Sequence, residues 1–386
     1  MGNDILKTEK VTMNIFEICA QFGINIVAKK VISKGLINSS WEVTDKTGKT
    51  YVVQGINHNV FKDVDGLMDN ITRVTDHIRR KVEQEGGDKS REVLELIPCV
   101  QTDKNYIKTE DNEYYRVYRC ITSATTYDEA STQLLYQAGR GFGKFQKQLS
   151  DFPAETLSES IPNFHNTVKR FEAFEEKLKN VDSQTFYKAK DTIFQILKGY
   201  EYSKKIMEPL ESGEIPTRVV HNDTKLNNVM LDNNTHKAVC VIDLDTIMPG
   251  SLLFDYGDAI RYCANTGAED ELNLKNVKVD PQKFMAFTHG FLKETYSSVT
   301  PKELELMSVA PTVLTYELAL RFLTDYLDGN KYFKCDPARP EHNLERAKAQ
   351  LKLFDEFKAN EKNMSKSIHK IYDMCKNTES TKSHLK

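Results

Sequence analysis

The sequence predicts an α+β fold in two lobes, a small antiparallel-sheet N-lobe followed by a larger, mainly helical C-lobe, and three observations carry that expectation. The first third alternates short apolar runs with turn residues, as the strands of a meander do. After about residue 126, apolar positions recur at helical spacing instead. Between residues 219 and 258 strand-like runs return once, around polar loops. The expected domains are an N-terminal lobe over 1–121 with a hinge at its end, a C-terminal lobe over 122–360, and a tail over 361–386 that is partly helical and disordered from residue 380.

In order along the chain, residues 11–22 place Ile15, Ile18, Cys19 and Phe22 at helical spacing. Strands are expected near 24–27, 31–33, 41–43 and 51–54, with turns at 33–40 and 46–49. A helix over 63–85 aligns Val64, Leu67, Ile71, Val74 and Ile78 in one stripe, which should cover the sheet, and Arg79, Arg80 and Lys81 near its end suit the helix dipole. After Gly86 and Gly87, strand-like runs recur at 94–100, 105–108 and 114–121. In the C-lobe, Leu134, Ala138, Phe142, Phe145 and Leu149 form the first helical stripe. Further helices are expected at 164–179, 183–207, 281–296, 301–327 and 341–357, the last three with Pro at or near their starts.

Composition narrows the function classes. The 56 acidic and 53 basic residues nearly cancel, which argues against a dedicated nucleic-acid binder, because phosphate-backbone affinity needs clustered positive charge. The seven cysteines are scattered and follow neither a disulfide framework nor a zinc-ligand spacing, so a reducing, cytoplasmic setting is expected. No run approaches the roughly 20 apolar residues of a membrane span, and Leu6 occupies the place where a myristoylation signal needs Ser or Thr.

The stretch 219–258 carries the chemistry. An apolar run ending at His221 opens into Asn222-Asp223-Thr224-Lys225-Leu226-Asn227-Asn228, a second run follows at 229–231, and a third over 238–242 ends on Asp243, so two carboxylates are expected at neighbouring strand ends. A carboxylate on such a loop can accept a hydroxyl proton, the general-base role in phosphoryl transfer, and Asp223 is the candidate. Asn228 and Asp243 offer hard oxygen ligands suited to Mg²⁺ on nucleotide phosphates, and Lys225 can stabilise charge on the transferring group. Singly, each has a plainer reading, since Asp and Asn are common in turns and a lone Lys usually faces water; the combined spacing shifts the balance.

The pattern H-x-D-x-x-x-x-N, with an acid at the end of the next hairpin, resembles that of the aminoglycoside-phosphotransferase-type kinases, small-molecule relatives of protein kinases. Within that group HNDTKLNN, IDLDTIMPGSLLFDYGDAIR, LRFLTDYLDG and PEHNLERAKAQLKL are most similar to the N-acetylhexosamine 1-kinases, with weaker similarity from residue 35 to about 354. The resemblance implies a protein-kinase-like fold, with the nucleotide held by the N-lobe, and transfer of the γ-phosphate of ATP, with Mg²⁺, to the anomeric hydroxyl of GlcNAc or GalNAc. It implies Asp223 as base, Asn228 and Asp243 as metal ligands, the segment 118–121, with Tyr118, Arg119 and Ile121, beside adenine, and Arg321 and Tyr332 at the sugar. Read without it, Arg321 is equally an ion-pair partner and Tyr332 a core aromatic. A small-molecule sugar substrate follows, with no nucleic-acid or membrane partner; oligomeric state is left open.

Two positions depart from the pattern. Gln54 stands where many kinases place a strand lysine, so phosphate contacts are expected from Lys34 or backbone amides, and Leu36 stands where the resembled kinases place a His near the substrate. A lost hydrogen bond there changes selectivity by roughly 1–3 kcal/mol. Asp255-Tyr256-Gly257 looks like a protein-kinase metal motif, but Asp255 opens a helical run and is read as scaffold, as is His221; Asp245 is either an auxiliary of the metal site or a turn residue. The alternatives are a kinase of another sugar, an amino alcohol or an aminoglycoside on the same fold, and a catalytically silent nucleotide-binding module. Protein-kinase activity is disfavoured by the absence of an Ala-Pro-Glu segment.

Overall fold

A computed structural model describes residues 14–33 and 37–383, and the chain divides into two compact units, residues 1–122 and 123–386. In the first, α1 (Ile15–Gln21) begins at a capping box in which Asn14 and Glu17 satisfy each other's backbone N–H groups. Strands β1 (Ile26–Ile32), β2 (Ser39–Asp45) and β3 (Thr50–Ile56) follow, then α2 (Val64–Gln84), β4 (Ile107–Lys108) and β5 (Tyr114–Arg119). The five strands form one antiparallel sheet in the order β1-β2-β3-β5-β4. The β2–β3 turn is set by Asp45, whose Oδ1 accepts from the N–H groups of Thr47 and Lys49 while Gly48 takes φ +83°. One sheet face, with Val43, Tyr51, Val53, Tyr115 and Val117, packs on Ile15, Ile18 and Phe22 of α1. Helix α2 buries Leu67, Met68, Ile71, Val74 and Ile78, as its stripe predicts. Residues 94–100, expected as a strand, are joined to the sheet only by an isolated bridge from Leu96 to Tyr118.

The second unit holds β6 (Ala124–Thr125), α3 (Thr132–Gln148), α4 (Thr167–Lys179), α5 (Ser183–Lys198), α6 (Glu201–Glu211), β7 (Arg218–Val220), β8 (Val229–Asp232), β9 (Ala238–Val241), β10 (Met248–Gly250), α7 (Leu252–Cys263), α8 (Pro281–Thr295), α9 (Pro301–Leu306), α10 (Ala310–Leu327) and α11 (His342–Ser383). Four expected helices differ from what is observed. Residues 183–211 form two helices that meet at Gly199, where any β-carbon would strike the Tyr316 ring. Residues 301–327 are likewise split, into α9 and α10. Helix α11 runs beyond the expected end at 357 as far as Ser383, with Met364, Ile368 and Cys375 buried in the core. Helix α4 starts at Thr167, capped by Asn166, so Phe164 lies in the preceding loop.

The core of this unit is helix on helix. Gly139 of α3 and Gly290 of α8 lie where the two backbones meet: a β-carbon on Gly139 would overlap the Phe287 carbonyl, and one on Gly290 the Tyr136 carbonyl. This crossing buries Phe142, Phe287 and Phe291. Arg218 of β7 is anchored beneath by a buried bidentate pair with Glu303 of α9, at 2.6 and 2.8 Å, and by the Ser298 carbonyl at 2.7 Å. Among the described residues no helix is long and apolar enough to cross a membrane. Replacing either Gly139 or Gly290 by Ala is expected to lower unfolding stability by about 1–3 kcal/mol, because the helices must move apart. Urea denaturation checks this, and an unchanged midpoint in both variants would contradict the close approach.

Candidate active site

Strand β7 pairs with β10, whereas β8 lies between β6 and β9, so the three runs of the central stretch belong to two separate small sheets. The strands that end before Asp223 and Asp243 are therefore not neighbours in one sheet, as the expectation of two carboxylates at neighbouring strand ends had them. The polar loop after β7 links the two sheets, and what fixes it is a buried carboxylate from α7. Asp255, 1 % exposed, accepts from the His221 N–H on both oxygens at 2.9 and 3.0 Å, from the Asn222 N–H at 2.8 Å and from Gln146 Nε2 at 2.7 Å. Its backbone carbonyl accepts from the Thr224 hydroxyl. Successive N–H groups can converge on one carboxylate because Asn222 takes φ +65°, a left-handed conformation that Asn tolerates better than most residues. Burial pushes the Asp255 carboxyl above its usual range, partly offset by His221 and these donors.

His221 ties the loop to the next strand end: its Nε2 lies 2.9 Å from the Ile242 carbonyl, and Phe142 and Phe145 pack edge-on against its ring. Asn222 donates to the Thr246 carbonyl and Thr246 donates to the His221 carbonyl, so the segment before β10 is laced to the loop from both sides. Held in this way, Asp223 is half-buried. Its Oδ2 accepts from Asn228 Nδ2 at 2.9 Å and pairs with Lys225 Nζ at 2.8 Å, and Asn228 also donates to the Asp223 carbonyl. Oδ1 of Asp223 has no hydrogen-bond partner among the described residues.

Asn228 ends a single 3₁₀ turn, Leu226–Asn228, immediately before β8, and its carbonyl accepts from the Ile242 N–H. That bond sets Asn228 beside the end of β9, where Asp243 follows with φ +63° and ψ 60°. Asp243 is exposed at its surface yet crowded by protein; burial, then Asp245 and Asp223, push its carboxyl above the usual range. Burial alone would lower the Lys225 ammonium, but Asp223, and behind it Asp243 and Asp258, outweigh that and raise it. Asp223, Lys225, Asn228 and Asp243 are thus brought together, Asn228 by hydrogen bonds and the other three by charge.

A second cluster lies on α10 and the loops against it. Glu317, Arg321 and Asp325 fall four residues apart on one face. Glu317 accepts from the Thr167 hydroxyl and lies 2.8 Å from His165 Nδ1, which fixes the loop before α4. Asp325 accepts the N–H groups of Lys331, Tyr332 and Phe333, which fixes the loop after α10. Arg321, between them, lies over the rings of Phe164 and Phe333 at 5.5 Å each, and Tyr332 stands 68 % exposed at the rim. One helical turn beyond Asp255 on α7, Asp258 pairs with Arg261 at 2.7 Å, and these two couple electrostatically to Lys225 and Asp223 on one side and, through Asp258, to Arg321 on the other. Gln146, Thr246, Glu317 and Asp325 were not foreseen as site-building residues; the four-residue spacing around Arg321 was the one signal that pointed to any of them.

In the N-terminal unit, Gln54 is held in a side-chain network. Its Oε1 accepts two N–H groups of Arg116, directly across the strands, and its Nε2 donates to the Ser40 hydroxyl. The Arg116 guanidinium lies 5.2 Å from the Tyr118 ring centre, and the Arg119 guanidinium forms a bidentate pair with Glu95. Ile121 is half-buried just past β5. Lys34 and Leu36 lie outside the described residues.

The model of the phosphotransferase enzyme family (APH) matches residues 30–277, more than half of the chain and including the loop just described. The chain belongs to the phosphotransferase enzyme family. It is therefore an enzyme, a small-molecule phosphotransferase with the kinase-like fold of an antiparallel-sheet N-lobe and a helical C-lobe. Solved structures share the fold at low identity. An aminoglycoside phosphotransferase from Alicyclobacillus acidocaldarius aligns with a TM-score of 0.58 at 10% identity over 92% of this chain and 99% of that one. A microcompartment-associated aminopropanol kinase aligns at 0.58 and 9% identity over 89% and 97%, and the amicoumacin kinase hAmiN, in complex with AMP-PNP, Ca²⁺ and Ami, at 0.52 and 15% over 86% and 88%.

The network around Asp255 in this phosphotransferase yields a stability test. Asp255→Ala leaves three buried donors unsatisfied and is expected to cost about 3 kcal/mol or more. Asp223→Asn, at a half-exposed site, is expected to change stability by less than about 1 kcal/mol. Equal denaturation midpoints for the two variants would contradict the division between a buried carboxylate that holds the loop and a half-exposed one that the loop presents.

Proposed function

We propose that this phosphotransferase moves the γ-phosphoryl group of ATP to the anomeric hydroxyl of an N-acetylhexosamine, GlcNAc or GalNAc, giving the sugar 1-phosphate. The observation that carries the reaction is the asymmetry of Asp223. Asn228 and Lys225 occupy one carboxylate oxygen and fix its direction, and the other oxygen faces no protein donor, which suits it to receive an acceptor hydroxyl. In the transfer the acceptor O–H gives its proton to Asp223, the acceptor oxygen bonds to the γ-phosphorus, and the bond from that phosphorus to the bridging oxygen breaks to release ADP. Lys225 lies beside the base and offers positive charge for the phosphoryl oxygens.

Among the described residues no three His, Cys, Asp or Glu side chains group to hold a metal by themselves. Asn228 with Asp243 instead offers an amide and a carboxylate, a sparse hard-oxygen set that fits Mg²⁺, which takes one or two carboxylates and completes its shell with phosphate and water. A cation there would neutralise phosphate charge as it develops. The amicoumacin kinase complex with AMP-PNP and Ca²⁺ supports nucleotide use with a divalent ion. Tyr118, Arg119 and Ile121 are proposed at adenine through their backbone, because the Arg119 side chain is spent on Glu95. Gln54, with Arg116 behind it, is proposed on the phosphate side of the nucleotide. Arg321 and Tyr332 are proposed at the sugar.

A second reading keeps the reaction and changes the acceptor to an amino alcohol or an aminoglycoside. It is favoured by the aminopropanol kinase and aminoglycoside phosphotransferase that share the fold. A coupled ADP assay with MgATP over N-acetylhexosamines, other sugars, amino alcohols and aminoglycosides decides between them. Turnover with GlcNAc or GalNAc above the rest is expected, and no ADP release with either removes the sugar assignment. Asp223→Asn is expected to lower kcat about 100- to 10,000-fold. Undiminished turnover would remove the base.

The raised Asp243 carboxyl gives a pH test. A metal ligand must be deprotonated, and a carboxyl with a raised pKa takes up its proton at a higher pH than an ordinary aspartate. The Mg²⁺ concentration for half-maximal activity is therefore expected to rise as pH falls, starting above the ordinary aspartate range. A flat dependence down to that range would contradict Asp243 as ligand.

A further inference from the structure

The cluster beside α10 contains two guanidinium groups that the reaction does not use as metal ligand or base. Arg170, half-buried on α4, donates Nε and Nη2 to the Phe164 carbonyl at 3.3 and 3.0 Å, and Arg321 covers the ring of the same Phe164 and that of Phe333. Among the described residues neither has a carboxylate within ion-pair distance. The acids nearby are committed: Glu317 to His165 and Thr167, Asp258 to Arg261, and Asp325 to the backbone of the Tyr332 loop and to Asn343. Burial, then the adjacent Arg321, push the Arg170 guanidinium below its usual value, and the charge of Glu317, which acts on both guanidiniums, offsets this in part. His165 Nε2 is also buried without a hydrogen-bond partner.

Such a surface suits one kind of acceptor. An ammonium group is usually held by carboxylates or by open aromatic faces, but here the carboxylates are spent and two of the aromatic faces already carry the Arg321 guanidinium. Remaining N–H groups of two guanidiniums ask instead for oxygen lone pairs. We propose that Arg170 and Arg321 form a two-guanidinium seat for the oxygen atoms of the acceptor, and that this seat restricts the enzyme to hydroxylated acceptors without a charged amine. The proposal rests on the reading that Arg321 and Tyr332 lie at the acceptor end of the site, and adds Arg170 as a specificity-determining residue.

The test compares matched acceptors with MgATP at a pH where free amines are protonated: N-acetylglucosamine against glucosamine, with glucose and ethanolamine alongside, read as kcat/KM. The full-length enzyme is expected to prefer uncharged over cationic acceptors by about 100-fold or more. Arg170→Met and Arg321→Met are each expected to reduce that preference about 10-fold with the KM for ATP unchanged, and Arg170→Lys to restore part of it. Arg321 lies over two rings whereas Arg170 bonds to a backbone carbonyl, so the Arg170 variants serve if Arg321→Met fails to fold. Glucosamine or ethanolamine used as well as their uncharged counterparts, or an unchanged preference in the Arg170 variants, overturns the seat. If N-acetylglucosamine is inert while glucose is phosphorylated and the amines are not, the N-acetylhexosamine assignment falls and the seat stands. If N-acetylglucosamine is turned over and the variants keep the full preference, the reverse holds.

Discussion

The geometry of the catalytic loop depends on one buried carboxylate binding three N–H donors. Asp255 reaches from the first turn of α7 to the backbone of His221 and Asn222 and to the side chain of Gln146 from α3, so one side chain joins two helices to a loop that has no regular hydrogen bonding of its own. A loop whose polar backbone were left to water would sample many conformations, each residue fixed costing roughly 1–2 kcal/mol of entropy. Charge-assisted bonds to Asp255 offset that cost, and the Asn222–Thr246 and Thr246–His221 bonds add a second lacing. Asp223, the next residue, can then remain half-exposed and accessible while its direction is set by neighbours that do not react.

The C-terminal unit applies the same device a second time. Along one face of α10, Glu317 and Asp325 spend their carboxylates on the loops before α4 and after α10, and Arg321 between them is left with aromatic rather than ionic partners. Here the acids organise backbone. In the catalytic loop the roles are reversed, with Lys225 and Asn228 orienting an acid that keeps one oxygen available. In the N-terminal unit the strand position that carries Lys in many kinases is taken by Gln54, drawn into a cross-strand contact with buried Arg116, so the positive charge sits one strand away.

Much of this was legible in the chain. Short apolar runs between turn residues in the first third and helical stripes after residue 126 reflect segments that must be buried, and they correspond to the five-stranded sheet and to α3, α4, α8 and α10. The grouping of Asp223, Asn228 and Asp243 was legible because the loop and strand between them are short. What was not legible depends on partners distant in sequence. The close approach at Gly199 is to Tyr316, more than a hundred residues away, and the separation of β7 from β8 comes from β10 and β6. Asp255 was readable as scaffold from its helical context, but that it holds His221, Asn222 and Gln146 together follows only from the folded chain. Arg170 gave no signal at all, since its interest lies in standing beside Arg321 without an ion-pair partner.

The central claim is that a loop held by Asp255 presents one free oxygen of Asp223 to the acceptor while Asn228 and Asp243 take the cation. A crystal structure of the enzyme with a non-hydrolysable ATP analogue, Mg²⁺ and N-acetylglucosamine tests it most directly. The account predicts the acceptor hydroxyl within about 2.6–3.2 Å of Asp223 Oδ1 and the metal bound by Asn228 and Asp243, with the Asp255 bonds intact. An acceptor hydroxyl turned to another base, or a metal held away from Asn228 and Asp243, would contradict it.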